Sequence, residues 1–437
     1  MQHRLLIEDL GQHGEGVGRI GAKVLFVAGA TLGDEVLVEV DPGRQRMARA
    51  RLVRILRPAR QRMALACPVA RECGGCQTME LSYDAEVEWK RRRVSETIRR
   101  IGGLKVAVEP TRAAVSPLGY RHKATMPAGG QLGRIRLGYY APFSHTLVPA
   151  EHCPVLHPDL NRVAEAVRTA ADQMGVGPAG GGSGLRSLMA RRSALSGELQ
   201  LVLTGEGLGR FPWASVLPPL LPGLSGLTLA RPTASANRLV GTGGELVWGK
   251  GAIGEELGKI QFRISPFSFF QANPAQAANL VSAVQDTLGR VGGTLVDLYA
   301  GTGAFALTLA AQAERVVAVE AVEDAVEDGR ANARSNRLTN VSFLQADAAT
   351  GLARLLADGA AIEAVVLDPP RKGAWEVMAP LAASLVPTVA YISCDVATLA
   401  RDLRALDPAY QVERVVPFDF FPRTVHVETL VILTRRR

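Results

Sequence analysis

The chain has 437 residues, more than one compact hydrophobic core usually organises, so two or three domains are expected. Hydrophobic residues make up 47% and charged residues 21% of the chain, as in globular proteins and unlike disordered ones. No apolar run reaches the length of a membrane-spanning helix, and the N-terminus lacks the basic-then-apolar layout of a signal peptide. We therefore expect a soluble, cytoplasmic protein without membrane association.

The positive charge is concentrated in one part of the chain. The formal net charge is +8, but residues 51–136 contain 18 Lys and Arg against 7 Asp and Glu, a local balance of +11. The remainder of the chain is therefore slightly acidic. Such a basic zone is typical of a surface that binds nucleic acid, although a solvated basic surface has the same pattern.

The five cysteines are unevenly placed. Cys67, Cys73 and Cys76 lie close together, Cys153 stands apart, and Cys394 is distant from all of them. Five cysteines in a chain of this length do not indicate a secreted disulfide scaffold. The spacing favours ligation of a metal or a cluster, together with one separate thiol.

The first 57 residues are predicted to form a small β-barrel. Val24–Val27 and Glu35–Val40 are β-branched runs separated by a glycine turn, with no room for a helix between them. A five-stranded barrel of the OB type is the natural interpretation. After the cysteine-rich region, a charged helix is predicted over Asp84–Ile101, and residues 120–260 mix helix and strand.

From about residue 261, apolar strand-like runs alternate with helical stretches. The predicted strands are Thr294–Tyr299, Arg315–Glu320, Val341–Asp347, Ala364–Asp368, Val389–Cys394, Gln411–Asp419 and His426–Thr434. Helices are predicted between them, for example over Val322–Arg337 and Val396–Leu406. This alternation predicts a Rossmann-like, doubly wound α/β domain with buried parallel strands.

The first of these strands is followed by a glycine turn that is typical of a nucleotide-type site. Gly301 and Gly303 allow the backbone to turn sharply and to approach a ligand closely. With Ala306, the same turn satisfies the dinucleotide fingerprint, so an NAD(P) site is an alternative. The other alternative is a tight strand–helix turn that binds no ligand.

Acidic residues follow three successive strands of the predicted sheet: Glu320, Asp347 and Asp368. In a doubly wound sheet the ligand lies over the carboxyl ends of the strands. Glu320 follows the glycine turn at a spacing suited to the hydroxyls of a ribose. An acidic rim repels a pyrophosphate and suits a sulfonium cofactor, so S-adenosylmethionine is favoured over NAD. Any one of these acids could instead be an ordinary loop cap.

Cys394 ends the fifth predicted strand, where a lone cysteine is more often packing than catalysis. Methylation of carbon 5 of a pyrimidine needs a thiolate that adds to carbon 6, and a base that then removes the proton from carbon 5. Glu428, at the start of the last strand, is a candidate for that base. It could equally be a surface acid on an edge strand.

The chain resembles the RNA 5-methyluridine methyltransferases, a class I S-adenosylmethionine-dependent family, and in particular the branch with a TRAM domain and an iron–sulfur cluster. The motifs that carry the resemblance are Ser268–Asn273, Asp297–Phe305, Asp368–Arg371, Ser393–Asp402 and Phe421–Glu428. The resemblance implies that Cys394 is the nucleophile and Glu428 the base. With the glycine turn, it places S-adenosylmethionine against Gln271, Tyr299, Gly301, Glu320, Asp347 and Asp368.

The resemblance also gives the other cysteines a role. It implies that Cys67, Cys73, Cys76 and Cys153 hold a [4Fe–4S] cluster of structural function, with zinc as the physical alternative. The implied domains are a TRAM RNA-binding domain (1–57), a central α+β iron–sulfur domain (58–88 and 121–260) and a catalytic domain (89–120 and 261–437).

The implied substrate is a uridine in RNA, with 23S ribosomal RNA favoured and transfer RNA as the alternative. A non-catalytic RNA-binding or ribosome-assembly factor is the competing class. A monomer without an obligate protein partner is expected. The candidates for stacking on the unstacked base are Phe269, Phe270, Phe420 and Phe421.

Two residues depart from the family pattern. Ala304 stands where Asn is frequent, so a cofactor hydrogen bond is lost or replaced there. Asp395 follows the nucleophile where Asn is common, and an acid beside a thiol raises its pKa unless the acid is itself paired.

Overall fold

The N-terminal part of the protein is a six-stranded sheet. The computed structural model describes residues 1–40, 47–180, 183–233, 238–241 and 243–437, so residues 41–46 of the expected barrel lie outside it. The strands are β1 Gln2–Leu6, β2 Asp9–Leu10, β3 Gly16–Ile20, β4 Lys23–Val27, β5 Glu35–Val40 and β6 Met47–Arg57. They are ordered β1-β5-β6-β4-β3-β2.

The core of this sheet comes from alternation along its strands. Leu25 and Val27 of β4 and Val36 and Val38 of β5 are fully buried, while the residues between them are only half-buried. The sheet has six strands where five were expected. The additional strand, β2, is two residues long, too short to produce an alternating pattern in the sequence.

A charged helix links this sheet to the C-terminal half of the chain. Helix α1 spans Tyr83–Thr97 and continues into a wider helical turn over Ile98–Gly102. Val94 and Ile98 are buried in a core that they share with strands of the C-terminal sheet. Farther on, the Arg112 amide donates to the carbonyl of Pro417 at 2.8 Å, so this segment runs beside the last sheet.

The middle of the chain forms a second, seven-stranded sheet covered by helices. Its strands are β7 Lys123–Gln131, β8 Arg134–Tyr140, β9 Leu147–Pro149, β10 Gly184–Arg192, β11 Leu199–Glu206, β12 Leu224–Ala230 and β13 Gly244–Gly249. They are ordered β13-β12-β11-β10-β7-β8-β9. The helices are α2 Pro158–Gln173 and α3 Trp213–Leu220. Trp213 is almost fully buried in the core of this part.

A hairpin and a helix precede the third sheet. They are β14 Ile253–Leu257, β15 Ile260–Ile264 and α4 Pro274–Leu288. Within the third sheet the strands are β16 Val291–Leu298, β17 Ala313–Glu320, β18 Val341–Gln345, β19 Ile362–Leu367, β20 Thr388–Ser393, β21 Tyr410–Phe418 and β22 Glu428–Arg435. The helices between them are α5 Ala304–Thr308, α6 Glu323–Ser335, α7 Ala348–Ala357, α8 Trp375–Ala383 and α9 Val396–Leu406.

The third sheet is doubly wound and both of its faces are buried. The strand order is β18-β17-β16-β19-β20-β22-β21, with parallel pairs throughout except where β22 joins β20 and β21. Along β16, Leu295 packs into one hydrophobic core, whereas Val296 and Leu298 pack into the other. Burial on both faces explains why these strands are almost continuously apolar.

No helix in the described ranges is both long and apolar enough to cross a membrane.

Candidate functional site

The glycine turn after β16 adopts a conformation that leaves room above the backbone. Tyr299 has a φ of 64°, in the left-handed region that non-glycine residues rarely occupy. Gly301 follows with a φ of 55°, and a Cβ built on it would meet no heavy atom within 4 Å. Strained backbone next to open space is a feature of ligand sites.

Glu320, at the end of β17, is fixed to this turn by its carboxylate. The Gly301 amide donates to one carboxylate oxygen and the Val322 amide donates to the other, each at 2.8 Å. The half-buried carboxylate is therefore held against the glycine turn, with lone pairs left for a ligand.

The remaining acids at this edge of the sheet have different environments. Asp297 is fully buried and accepts from the Ala306 amide at 2.8 Å, so it supports the turn from below. Burial raises the pKa of Asp368, which follows β19, to about 7. Asp347 is exposed and caps α7 by accepting from the Thr350 amide at 2.9 Å, a hydrogen bond that lowers its pKa.

Burial raises the pKa of Asp297, and the charges of Asp368 and Glu320 raise it as well, which places the three carboxylates in one electrostatic neighbourhood. Asp347 is in turn among the charges that raise the pKa of Tyr299 to about 12, after burial as the main cause. The predicted acidic rim is thus present, although Asp347 also has the capping role that was its alternative.

Gln271 lies in the segment between β15 and α4, which is tied down on both sides of it. The carbonyl of Ala272 accepts from the His122 amide at 2.7 Å. Asn273 caps α4 and donates to the carbonyl of Phe420 at 3.0 Å. The half-buried Gln271 side chain itself has no hydrogen bond to the acidic rim within the described part of the chain.

Pairing of β20 with β22 brings Cys394 and Glu428 together. Ser393, the last residue of β20, is the register partner of Thr429, so Cys394, which follows β20, lies opposite Glu428, the first residue of β22. The Glu428 side chain is buried, and its Oε1 has no hydrogen-bond partner among the described residues. Burial, with a further contribution from Asp368, raises the pKa of Glu428 well above its usual value.

The Cys394 thiol is strongly disfavoured as a thiolate in the free protein. Burial, Glu428 and Asp368 raise its pKa to about 11, whereas Arg371 lowers it. Arg371 also lowers the pKa of Glu428. Its guanidinium lies 3.4 Å from Nε2 of His426, whose pKa falls to about 4 because it is buried beside several cations.

Arg371 and His426 lie within the motifs quoted above, but no role was predicted for either. The signal that could have identified Arg371 is a cation placed three residues after Asp368, the acid that follows β19. His426 has no comparable signal, because its contact with Arg371 joins residues 55 positions apart.

The two departures from the family pattern have local structural consequences. Asp395 caps α9, with its carboxylate accepting from the Ala397 and Thr398 amides at 3.0 and 2.9 Å. It is therefore paired, and it is not among the charges that raise the pKa of Cys394. Ala304 is the first residue of α5 and packs against the hydrophobic core.

Cys67, Cys73, Cys76 and Cys153 share one neighbourhood. Burial and, after it, the thiols of Cys153, Cys73 and Cys67 together raise the pKa of Cys76 to about 12. The Gly75 amide donates to Sγ of Cys73 at 3.4 Å. Across the part of the chain that the structure describes, however, no group of three or more His, Cys, Asp or Glu side chains is arranged to hold a metal ion.

Two of the four phenylalanines proposed to stack on the substrate base are unavailable for that role. Phe270 and Phe420 belong to the hydrophobic core and are only 5% and 1% exposed. Phe269 is 67% exposed. Phe421 is half-buried, with the Arg121 guanidinium over its ring at 5.6 Å.

Comparison with known proteins gives matches over the whole chain. The family model described as tRNA (Uracil-5-)-methyltransferase matches residues 252–436, and the TRAM domain model matches residues 3–53. An uncharacterized RNA methyltransferase of Clostridium tetani is 32% identical over 441 residues, covering 99% of this chain and 96% of that protein. Another, from Thermosynechococcus vestitus, is 35% identical over 439 residues, covering 98% and 97%.

A solved structure supports the same fold. The crystal structure of Pyrococcus abyssi tRNA (uracil-54, C5)-methyltransferase in complex with S-adenosyl-L-homocysteine superposes with a TM-score of 0.76 at 24% identity. The match covers 99% of this chain and 100% of that one. The α/β methyltransferase fold and the N-terminal TRAM domain predicted from the sequence are therefore confirmed.

Fold and site together define an S-adenosylmethionine-dependent RNA methyltransferase, as the sequence predicted. More narrowly, the chain belongs to the RNA uracil-5-methyltransferase family.

Proposed function

We propose that this protein transfers a methyl group to carbon 5 of a uridine in RNA, with Cys394 as the nucleophile and Glu428 as the proton-abstracting base. The observation that carries the proposal is the juxtaposition of these two residues by the β20–β22 pairing. A buried carboxylate oxygen that has no partner among the described residues, next to a thiol, is available to the substrate.

The two groups must both be ionised to act, and Arg371 favours that state in each. Cys394 adds to carbon 6 of the uracil only as a thiolate, and this addition makes carbon 5 nucleophilic. Glu428 must be a carboxylate to take the proton from carbon 5 after methyl transfer. Removal of that proton expels the Cys394 thiolate and restores the ring. Because Arg371 lowers both pKa values, we assign it the role of stabilising the reactive pair.

S-adenosylmethionine supplies the electrophilic methyl group when it is bound. Glu320, held in place by its two backbone hydrogen bonds, would accept hydrogen bonds from the ribose hydroxyls of the cofactor. Open space above Gly301 leaves the turn accessible to the cofactor. Tyr299, Asp368, Asp347 and Gln271 complete the proposed set.

The four clustered cysteines fit a [4Fe–4S] site by their donor chemistry. Four thiolates are the ligands that such a cluster requires, and hydrogen bonds to the sulfurs, such as that from Gly75 to Cys73, accompany them. Anaerobic purification should give a brown protein with about four irons and four sulfides per chain. Stoichiometric zinc without sulfide would contradict the assignment.

For the RNA itself, we propose 23S ribosomal RNA as the target. The basic stretch supports an extended RNA surface, since Arg51, Arg54 and Arg57 of β6 are exposed beside the TRAM core. Transfer RNA is the second candidate, because the family model and the Pyrococcus abyssi structure are both described as transfer RNA enzymes.

One experiment tests both the activity and the target. Purified protein is incubated with tritiated S-adenosylmethionine and RNA from cells that lack it, and the labelled nucleosides are identified after digestion. We expect 5-methyluridine in 23S ribosomal RNA. The same product in transfer RNA would support the second candidate, and label in another nucleoside would contradict the uracil C5 chemistry.

A further inference from the structure

Gln77 connects the turn over residues 73–76, here called the cysteine turn, to the segment that leads into Glu428. Its Nε2 donates to the carbonyl of Gly74, between Cys73 and Cys76, at 2.7 Å. Its Oε1 accepts from the Val425 amide at 3.4 Å, three residues before Glu428. We call residues 419–427 the base segment. One amide side chain thus spans two functional regions that are about 350 residues apart in the chain.

The main chain beside Gln77 makes a second connection to the base segment. The amides of Gln77 and Thr78 both donate to the carbonyl of Arg423, at 2.9 and 3.1 Å. Arg423 has a φ of 68°, a left-handed conformation that persists in a non-glycine residue only when its surroundings enforce it. Two donors on one carbonyl help to enforce it.

Helix α1 holds the other side of Arg423. The Arg423 amide donates to Oε1 of Glu86 at 2.7 Å. Glu86 is itself fixed, because the buried Lys90 ammonium lies 2.8 Å from it and 2.6 Å from Asp419 at the start of the base segment. Helix α1 and the residues at the cysteine turn therefore both bind the base segment through hydrogen bonds and an ion pair.

Two residues just before β7 contribute a third set of contacts. The Tyr120 hydroxyl donates to the carbonyl of Pro422 at 3.0 Å. The Arg121 guanidinium covers the ring of Phe421 at 5.6 Å and also lowers the pKa of Cys76. The same region of the protein therefore faces the thiols on one side and the base segment on the other.

We propose that Gln77 is a positioning residue, which sets the place of Glu428 by tying the base segment to the cysteine turn. The proposal rests on the proposed role of Glu428 as the base. Loss of the Gln77 side chain frees the Val425 amide and shifts the residues that follow it. Proton removal from carbon 5 then slows, whereas addition of Cys394 to carbon 6 does not, because Cys394 directly follows β20 and lies outside the base segment.

The test replaces Gln77 by methionine, which keeps its length and volume but removes both side-chain hydrogen bonds. Gln173→Met, at an exposed position at the end of α2, is the matched control. The rates at which the covalent protein–RNA complex forms and decays are measured by rapid quenching. In Gln77→Met we expect unchanged formation and decay slowed on the order of 10- to 100-fold.

A second readout separates positioning from a general loss of structure. With RNA that carries deuterium at carbon 5 of uridine, Gln77→Met should show a larger isotope effect on decay than the wild type, since proton removal limits it more strongly. Gln173→Met should match the wild type in both measurements. If Gln77→Met is thermally unstable, Gln77→Asn serves instead, because its shorter side chain cannot reach both partners.

Iron and sulfide are measured in each variant, so that a change at the cysteine site is seen directly. Equal decay rates and isotope effects in Gln77→Met and wild type would overturn the positioning role, even with the covalent complex intact. Absence of any covalent complex in the wild type would instead overturn the proposed function.

Discussion

The thiol of Cys394 is protonated at neutral pH, and its reactivity should therefore depend on pH. Its pKa is raised to about 11, so the thiolate fraction grows about tenfold for each pH unit below that value. Alkylation of Cys394 by iodoacetamide should follow this rise. The alkylation rate should rise slightly less steeply with pH near neutrality. Asp368, with a pKa of about 7, becomes charged there and disfavours the thiolate.

Arg371→Ala should slow this alkylation at every pH, because the cation that favours the thiolate is removed. Arg404→Ala, an exposed arginine on α9, is the control and should leave the rate unchanged. The rate is followed by mass spectrometry of the peptide that contains Cys394. A rate independent of pH, or equal in the two variants, would contradict the role given to Arg371.

Glu428 is expected to destabilise the fold when it is ionised, because its carboxylate is buried. Its pKa in the folded protein lies well above the unfolded value, so the stability it contributes is present at low pH and is lost as pH rises. Glutamine does not titrate. Glu428→Gln should therefore melt at a higher temperature than the wild type at about pH 8, with a smaller difference at about pH 5. A difference that grows toward acid pH would show that the burial argument is wrong.

The places of single residues were predictable where they end or follow strands. Cys394, Asp368 and Glu320 do so in a doubly wound sheet, so chain order placed them at the edge where ligands bind, whereas their roles come from the family resemblance and stay predictions. No role was predicted for Arg371, because it acts on the Cys394 thiol and the Glu428 carboxyl group, which only the fold brings near it. The buried state of Phe420 was equally invisible, since an apolar residue in a motif can face the core or the ligand.

At the scale of elements, the regular apolar strands were predictable, but the order in which they pair within each sheet was not. The strands of the third sheet were predicted within a few residues, because burial on both faces makes them continuously apolar. Helix α1 was expected over Asp84–Ile101, and the structure ends it at Thr97 before the wider turn. The order of strands within each sheet depends on long-range pairing, which no local pattern encodes.

Helix α1 also contains a cation with an unexpected role. Lys90 belongs to the basic run that suggested RNA binding, yet it is fully buried between Glu86 and Asp419. Lys90→Ala should destabilise the protein by about 3 to 5 kcal/mol, because two buried carboxylates lose their cation. Arg92→Ala, exposed on the same helix, should change the free energy of unfolding little. Urea denaturation measures both, and equal values would refute the buried network.

At the scale of the whole molecule, the basic stretch over residues 51–136 contains two kinds of cation. Some face solvent, and others join parts of the fold. Arg62 forms ion pairs with Asp34 and Glu80 and so ties the TRAM sheet to the region that follows it. Composition predicted a polyanion-binding surface, but it could not separate cations that face solvent from those that join parts of the fold. The RNA target likewise depends on the shape of the combined surface, which the charge of a segment does not define.

The central claim is that Cys394 bonds covalently to carbon 6 of a uridine in RNA. RNA that contains 5-fluorouridine has no proton at carbon 5 for Glu428 to remove, so methylation should trap the covalent complex. With S-adenosylmethionine present, we expect a protein–RNA species that survives denaturing electrophoresis and maps to Cys394 by mass spectrometry. Cys394→Ala should form none. A complex that dissociates on denaturation, or one formed equally by Cys394→Ala, would contradict the mechanism.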